Sequence, residues 1–234
     1  MTSRGFSEYE QPALAVDLAL MTVTEGTLKA LVMRRPDADR VGGLWALPGG
    51  FVHVDVSLED AAIGVLANKA HLNGVYLEQV GTFGALGRDP RGRVVSVAYF
   101  ALTPVETFDD AVCLTADLEL MEVQVPWDGE TGGPVAVVAQ DGKPAQLAFD
   151  HADILGHVVK RLRGKLNYTT IGLELLPVRF TLLEAQAVYE AILGETLSKP
   201  PFRRKLLDRG IIEPTGEFRT GGAYRPAELY QRKQ

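Results

Sequence analysis

An α/β sandwich joined to a small helical module with a β-hairpin is the architecture predicted by this 234-residue sequence. Three observations lead there: apolar segments rich in Val, Leu and Ala separated by turns, two capped helices set among them, and a change of character near residue 165. The first strand is expected at Ala13 to Val23 and the second at Leu28 to Met33, divided by the polar turn Thr24-Glu25-Gly26. A loop from Pro36 to Gly43 leads into a short apolar run, Leu44 to Val52, interrupted by Pro48-Gly49-Gly50. Ser57-Leu58-Glu59-Asp60 has the S-x-x-D form of a capping box, so a helix starts at Ser57 and runs through Ala62, Val65, Leu66 and Ala70 to a stop near Asn73-Gly74. Strands follow at Val75 to Phe83 and Val94 to Thr103, joined by the turn-rich loop Arg88 to Arg93, and then at Glu119 to Val125 and Val135 to Val138. Asp150 is placed to cap a helix through about Arg163, where Ile154, Val158 and Leu162 recur every fourth residue.

The chain then changes character. Leu166 to Pro177 reads as a connector, and residues 166–178 divide a unit at 1–165 from a second at 179–234. Thr181 can cap a helix containing Leu182, Ala187, Val188 and Ile192, with Gly194 just past its end. Ser198 can start a second helix with Pro200 and Pro201 in its first turn and a stop at Gly210. Phe202 and Leu206, four apart, can face a core, which leaves Arg203, Arg204, Lys205 and Arg209 for solvent or a partner. Ile211-Ile212 and Ala223 to Tyr230 can pair as strands around a Gly-rich tip carrying Arg219. Helix, turn, basic helix and hairpin within 60 residues describe a winged helix-turn-helix.

Charge at first argues against a polyanionic partner, because 24 basic and 30 acidic residues leave a net -6. The average conceals two unlike parts. Up to Asp150 there are 10 basic and 21 acidic residues, and from His151 onward 14 and 9. The basic part contains the winged helix, which restores DNA as a partner. The lone Cys113 can form neither an intrachain disulfide nor a multi-thiolate zinc site and reads as a small apolar filler. No apolar run reaches the roughly 18 residues of a membrane span, and the first residues lack the pattern of a signal peptide, so no membrane partner and a cytoplasmic location are expected.

Gly49-Gly50-Phe51-Val52, followed by a capped helix and a strand at Val75 to Gly81, resembles the loop-helix-loop of the Nudix fold. That family's motif is G-x5-E-x7-R-E-U-x-E-E-x-G-U, with U aliphatic. Its glutamates hold a divalent ion against a diphosphate and activate water. Aligned on Gly50, the first glutamate position holds Val56, the R-E-U-x-E-E core falls on Gly64 to Lys69, and the following glycine position holds His71. Val56, Val65, Asn68 and Lys69 thus replace all the glutamates, and Lys69 puts a cation where the family puts a metal ligand. Neither a catalytic residue nor a metal site is expected.

The resemblance extends to the order of modules. A degenerate Nudix-like α/β/α sandwich with a mixed sheet, followed by a winged helix, is similar to the Nudix-related regulators of NAD metabolism, the NrtR family. The likeness spans about Pro12 to Gln231 and is most specific at Phe180 to Gly194, Phe202-Arg203-Arg204-Lys205, Thr215-Gly216 and Arg225-Pro226-Ala227. It implies a homodimeric repressor of NAD-related genes that binds double-stranded operator DNA and is controlled by ADP-ribose, with no required cofactor. For the ligand the candidates are Arg35, Arg88 and Arg93 on phosphates, Trp45 or Phe51 on the base, and the Gly49-Gly50 backbone at close approach. For DNA they are Lys199, Arg203, Arg204, Lys205, Arg219 and Arg225. An ADP-ribose pyrophosphatase using non-standard acids, or an interaction protein that has lost both ligands, stands as the alternative.

Overall fold

The computed structural model describes residues 9–36, 42–108, 117–220 and 226–233. Cys113 and the candidate DNA contact Arg225 lie outside the described residues. The N-terminal elements are β1 (Ala13–Thr24), β2 (Thr27–Arg34), β3 (Trp45–Ala46), β4 (Gly49–Phe51), α1 (Leu58–Lys69), β5 (Tyr76–Phe83), β6 (Val94–Leu102), β7 (Leu118–Gln124), β8 (Ala136–Val138), β9 (Pro144–Ala145) and α2 (His151–Lys165). The strands form a mixed sheet in the order β5-β6-β1-β2-β7-β8-β9, with β3 on β2 and β4 on β1. β1 runs parallel to β6 and antiparallel to β2 and β4.

Strand alternation sorts β1 between two layers. Val16, Leu18 and Leu20 pack with Ala62, Val65 and Leu66 of α1, whereas Ala19 and Met21 pack with Ile154, Leu155, Val158 and Leu162 of α2. The result is a helix-sheet-helix sandwich. Ser57 caps α1 as its sequence pattern predicts, its hydroxyl accepting the Asp60 N–H at 3.1 Å. The helix ends at Lys69 rather than near Asn73. His71 adopts a left-handed φ of 56°, and the Leu72 N–H turns back to the Leu66 carbonyl at 3.1 Å, closing the helix with a Schellman-type bond. This is the position where the Nudix motif carries glycine, the residue that takes that backbone at least cost.

Asp150 does not cap α2 with its side chain; Arg88 holds its carboxylate instead. Segment 166–178 is no loose tether either. It carries a 3-10 turn at Ile171–Leu175, and Ile171, Leu173, Leu175 and Leu176 are buried in the core that α2 also shares.

Beyond it come β10 (Arg179–Thr181), α3 (Leu182–Leu193), α4 (Lys199–Asp208), β11 (Ile212–Arg219) and β12 (Ala227–Arg232). α3 has the full reciprocal cap between Thr181 and Glu184 and ends at Gly194, whose φ of 74° suits glycine. Prolines fill the start of α4, and Phe202 and Leu206 are its buried residues. The wing is more extensive than the sequence suggests: β10 joins as a third antiparallel strand, in the order β10-β12-β11. β11 also runs well beyond the expected Ile211-Ile212, through Pro214 and Gly216 to Arg219, because the register shifts between Pro214 and Phe218 and the bulge absorbs them.

Candidate functional site

Where β4 pairs with the first half of β1, an open cavity of about 370 Å³ lies between α1, the 88–91 loop and the start of α2. The pairing depends on Gly49: a Cβ there would lie 2.4 Å from Asp17 Oδ1 and 2.7 Å from the Val16 carbonyl. Asp17 is the floor. Its carboxylate accepts Ser96 Oγ at 2.6 Å and Arg88 Nη2 at 3.2 Å, and lies 3.5 Å from His151 Nε2. Burial alone would raise its pKa, but the bonds from His151, Ser96 and Arg88 outweigh it and bring it down to about 2. The Leu47 N–H donates to His151 Nδ1 at 2.9 Å, so the ring proton belongs on Nε2, facing Asp17.

Cations and aromatic rings form the walls. Phe149 has a left-handed φ of 58°, an unfavourable backbone for a bulky residue, and this sets its ring 4.9 Å from the Arg35 guanidinium and 5.4 Å from that of Arg91. Arg91 also lies 5.7 Å over the ring of Phe51, which is 55% exposed. Lys69, the last residue of α1, donates to the Gly49 carbonyl at the cavity's edge. Burial and the nearby Arg35 lower the pKa of its ammonium.

The structure divides the candidate ligand residues. Arg35, Gly49, Gly50, Phe51 and Arg88 line the cavity. Arg88 is not available as a free cation there: its guanidinium is clasped by Asp150, at 2.8 and 2.5 Å, and by Asp17. Trp45 is not in the cavity but packs against the α2-side core from β3, where its strand pairs with Arg34. Arg93 is likewise elsewhere, donating to the carbonyls of Gly84 at 2.7 Å and Ala85 at 3.2 Å. Sequence reasoning missed Asp17, Arg91, Phe149 and His151 as lining residues, and Lys69 was read only as an obstacle to metal. The one linear clue was Arg91 in the turn-rich loop; Asp17 inside an apolar strand and Phe149 before a helix carry no short-range pattern.

The residues in the Nudix motif positions do not fit a divalent ion. Val65 is buried in the α1-side core, and Lys69 presents an ammonium where a carboxylate would be needed. Among the described residues no group of three His, Cys, Asp or Glu side chains is arranged to hold a metal.

The second site is α4. Lys199, Arg203 and Arg204 are exposed, and neither arginine makes a hydrogen bond or ion pair among the described residues. Lys205 is exposed but tied to Asn167 Oδ1 at 2.9 Å. Arg209, grouped by sequence with the solvent-facing cations, is instead fixed to the Leu166 carbonyl at 3.0 Å and to that of Thr169. Arg219, expected at the wing tip, sits at the end of β11 and pairs with Glu184 of α3.

Comparison with known proteins identifies the family. Residues 172–231 match the model of the NrtR DNA-binding winged helix domain. An ADPR responsive transcriptional repressor, NtrR, of Acinetobacter baylyi is 36% identical over 227 residues, covering 96% of this chain and 84% of that protein. The structure of Shewanella oneidensis NrtR complexed with a 27mer DNA is 32% identical, with a TM-score of 0.77 over 94% of this chain and 93% of that one. The NUDIX domain of the same Shewanella protein complexed with ADP ribose is 29% identical, with a TM-score of 0.50 over 68% and 94% of the two chains. A likeness that runs over nearly the whole chain makes it a member of the NrtR family of Nudix-related transcriptional regulators.

Proposed function

We propose that the chain is a homodimeric transcriptional repressor whose operator binding is controlled by ADP-ribose or a related nucleotide. Residues 1–165 sense the ligand, 166–178 connect, and 179–234 bind DNA. Arg35, Lys69 and Arg91 meet the ligand's phosphates, and Phe51 or Phe149 its base. Arg203 and Arg204 enter the major groove, Lys199 meets phosphate, and two copies of α4 read two half-sites. Hydrolysis is not part of this activity, because the motif positions supply no carboxylate to activate water.

The observation that carries this reading is α2, which touches both sites. Its 15 residues span about 22 Å at 1.5 Å each. At its start, His151 lines the cavity beside Asp17, and the preceding Asp150 clasps Arg88 of the cavity wall. At its end, buried Arg163 donates to the Ile192 carbonyl at 2.8 Å, at the close of α3, and to Gly129 at 2.8 Å and Trp127 at 3.2 Å. Leu166 and Asn167, just beyond, hold Arg209 and Lys205 at α4. A ligand that displaces the start of α2 therefore moves the footing of both helices of the DNA-binding unit. It shifts the equilibrium only as far as it prefers the displaced state.

The test is a gel shift with DNA from upstream of the chain's own operon, with and without ADP-ribose. A shifted band that ADP-ribose releases is expected. Hydrolysis of ADP-ribose with Mg²⁺ or Mn²⁺ at about 1 per second, an ordinary enzyme rate, would overturn the sensor reading in favour of a pyrophosphatase.

A further inference from the structure

In the Nudix fold a divalent ion stands between the motif's carboxylates and the diphosphate, and the residues here do not fit one. We propose that Lys69 is the built-in cation of this pocket: its ammonium occupies the metal's electrostatic role against the ligand's diphosphate, so binding needs no divalent ion. The proposal rests on the reading of the cavity as a nucleoside-diphosphate site.

Four observations support it. Lys69 occupies the last glutamate position of the motif, on the final turn of α1, and lines the cavity. Its bond to the Gly49 carbonyl ties the exposed side chain to β4 across 20 residues of sequence. An ammonium has three donors, and with one taken by Gly49 two remain for phosphate oxygens. Finally, two of the other cavity cations are already paired with acids, Arg88 with Asp17 and Asp150 and Arg91 with Asp89 at 2.7 Å, while Lys69 has no carboxylate within ion-pair distance among the described residues.

The position of Lys69 at the end of a helix also favours a cation there, through the helix dipole. That effect explains why the charge is tolerated. It does not explain the tie to β4 or the placement in the cavity. Burial and Arg35 both penalise the ammonium, and a diphosphate beside it would oppose that penalty.

The experiment is calorimetric titration of the full chain with ADP-ribose, in EDTA and in Mg²⁺, for the native chain and for Lys69→Met and Lys69→Arg. The native affinity should agree within about twofold between the two buffers. Lys69→Met should bind about 10- to 100-fold more weakly in both, with an unchanged melting profile, and Lys69→Arg should recover most of the loss. Native binding that requires Mg²⁺, or undiminished binding by Lys69→Met, overturns the role of Lys69 while leaving the diphosphate reading intact. No binding by the native chain in either buffer overturns that reading and the proposal together.

Discussion

The cavity and the basic helix handle positive charge in opposite ways. Around the cavity, the arginines of the 88–91 loop are answered locally: Arg88 lies between Asp17 and Asp150, Arg91 against Asp89, and Asp17 itself also takes a bond from Ser96. On α4, Arg203 and Arg204 stand exposed with no hydrogen bond or ion pair among the described residues. The difference follows from the two kinds of ligand. A small molecule is recognised by groups already fixed in position, and fixing a buried charge requires a partner. DNA is a long array of phosphates, and cations that contact it gain most when no internal acid competes for them. The same division is visible in the whole chain, where an acidic body of 10 basic and 21 acidic residues up to Asp150 precedes a stretch of 14 and 9. An acidic body of this kind disfavours DNA contact away from the winged helix.

The contrast can be tested at several depths, and the largest effect is expected on α4. Replacing Arg203 and Arg204 together with alanine should weaken operator binding by on the order of 100-fold or more, as two base or phosphate contacts at roughly 1–3 kcal/mol each imply. ADP-ribose titration of the same variant should be unchanged, and equal DNA affinity would remove both residues from the interface. Native DNA binding should also fall steeply as salt rises; a flat response would count against phosphate contacts.

Next in size is Arg163, which lies between the two regions and resembles the cavity rather than α4 in being fully answered by protein groups. Arg163→Ala removes three charged hydrogen bonds to backbone carbonyls and should cost about 2–4 kcal/mol in urea denaturation. In the fraction that remains folded, ADP-ribose should release DNA less effectively. Release identical to that of the native chain would show that α2 does not carry the signal.

The floor of the cavity should show itself in acid. Asp17 is depressed from 3.8 to about 2, so the folded state gains from its ionisation at all pH above 3.8 and loses that gain as pH falls from 3.8 towards 2. The contribution is on the order of 2 kcal/mol. Asp17→Asn should flatten this part of the stability profile, and an unaltered acid limb would mean that the cluster does not stabilise the fold.

The smallest effect belongs to a residue that resembles a ligand contact only in sequence. Arg93→Ala, which removes bonds to two loop carbonyls away from the cavity, should leave ADP-ribose affinity within about twofold. A tenfold loss would return Arg93 to the site.

Local signals were legible without coordinates. The caps at Ser57 and Thr181, the proline-led start of α4, the glycine at the end of α3 and the loss of the motif's glutamates are all statements about neighbours in the chain. So is the emergence of Arg203 and Arg204 from a helix that buries Phe202 and Leu206, because helical periodicity alone assigns the two faces. The cavity was only half visible. Arg35, Gly49, Gly50, Phe51 and Arg88 line it, but the proximity of Trp45 and Arg93 in the chain did not bring them to it. Arg88 reads as a phosphate ligand until Asp17 and Asp150, 71 and 62 residues away, are seen to clasp it. The partner of Arg219 was hidden for the same reason, since Glu184 is 35 residues distant.

What the sequence determined by itself is therefore the set of elements, their caps, the Nudix-like and winged-helix modules and the free face of the basic helix, all governed by interactions within a few residues. The tertiary structure alone decided which charges are spent inside the protein and which remain for a ligand. The reason is physical: an ion pair or a backbone carbonyl neutralises whatever cation the fold brings within about 4 Å, and distance in space is not written as distance along the chain.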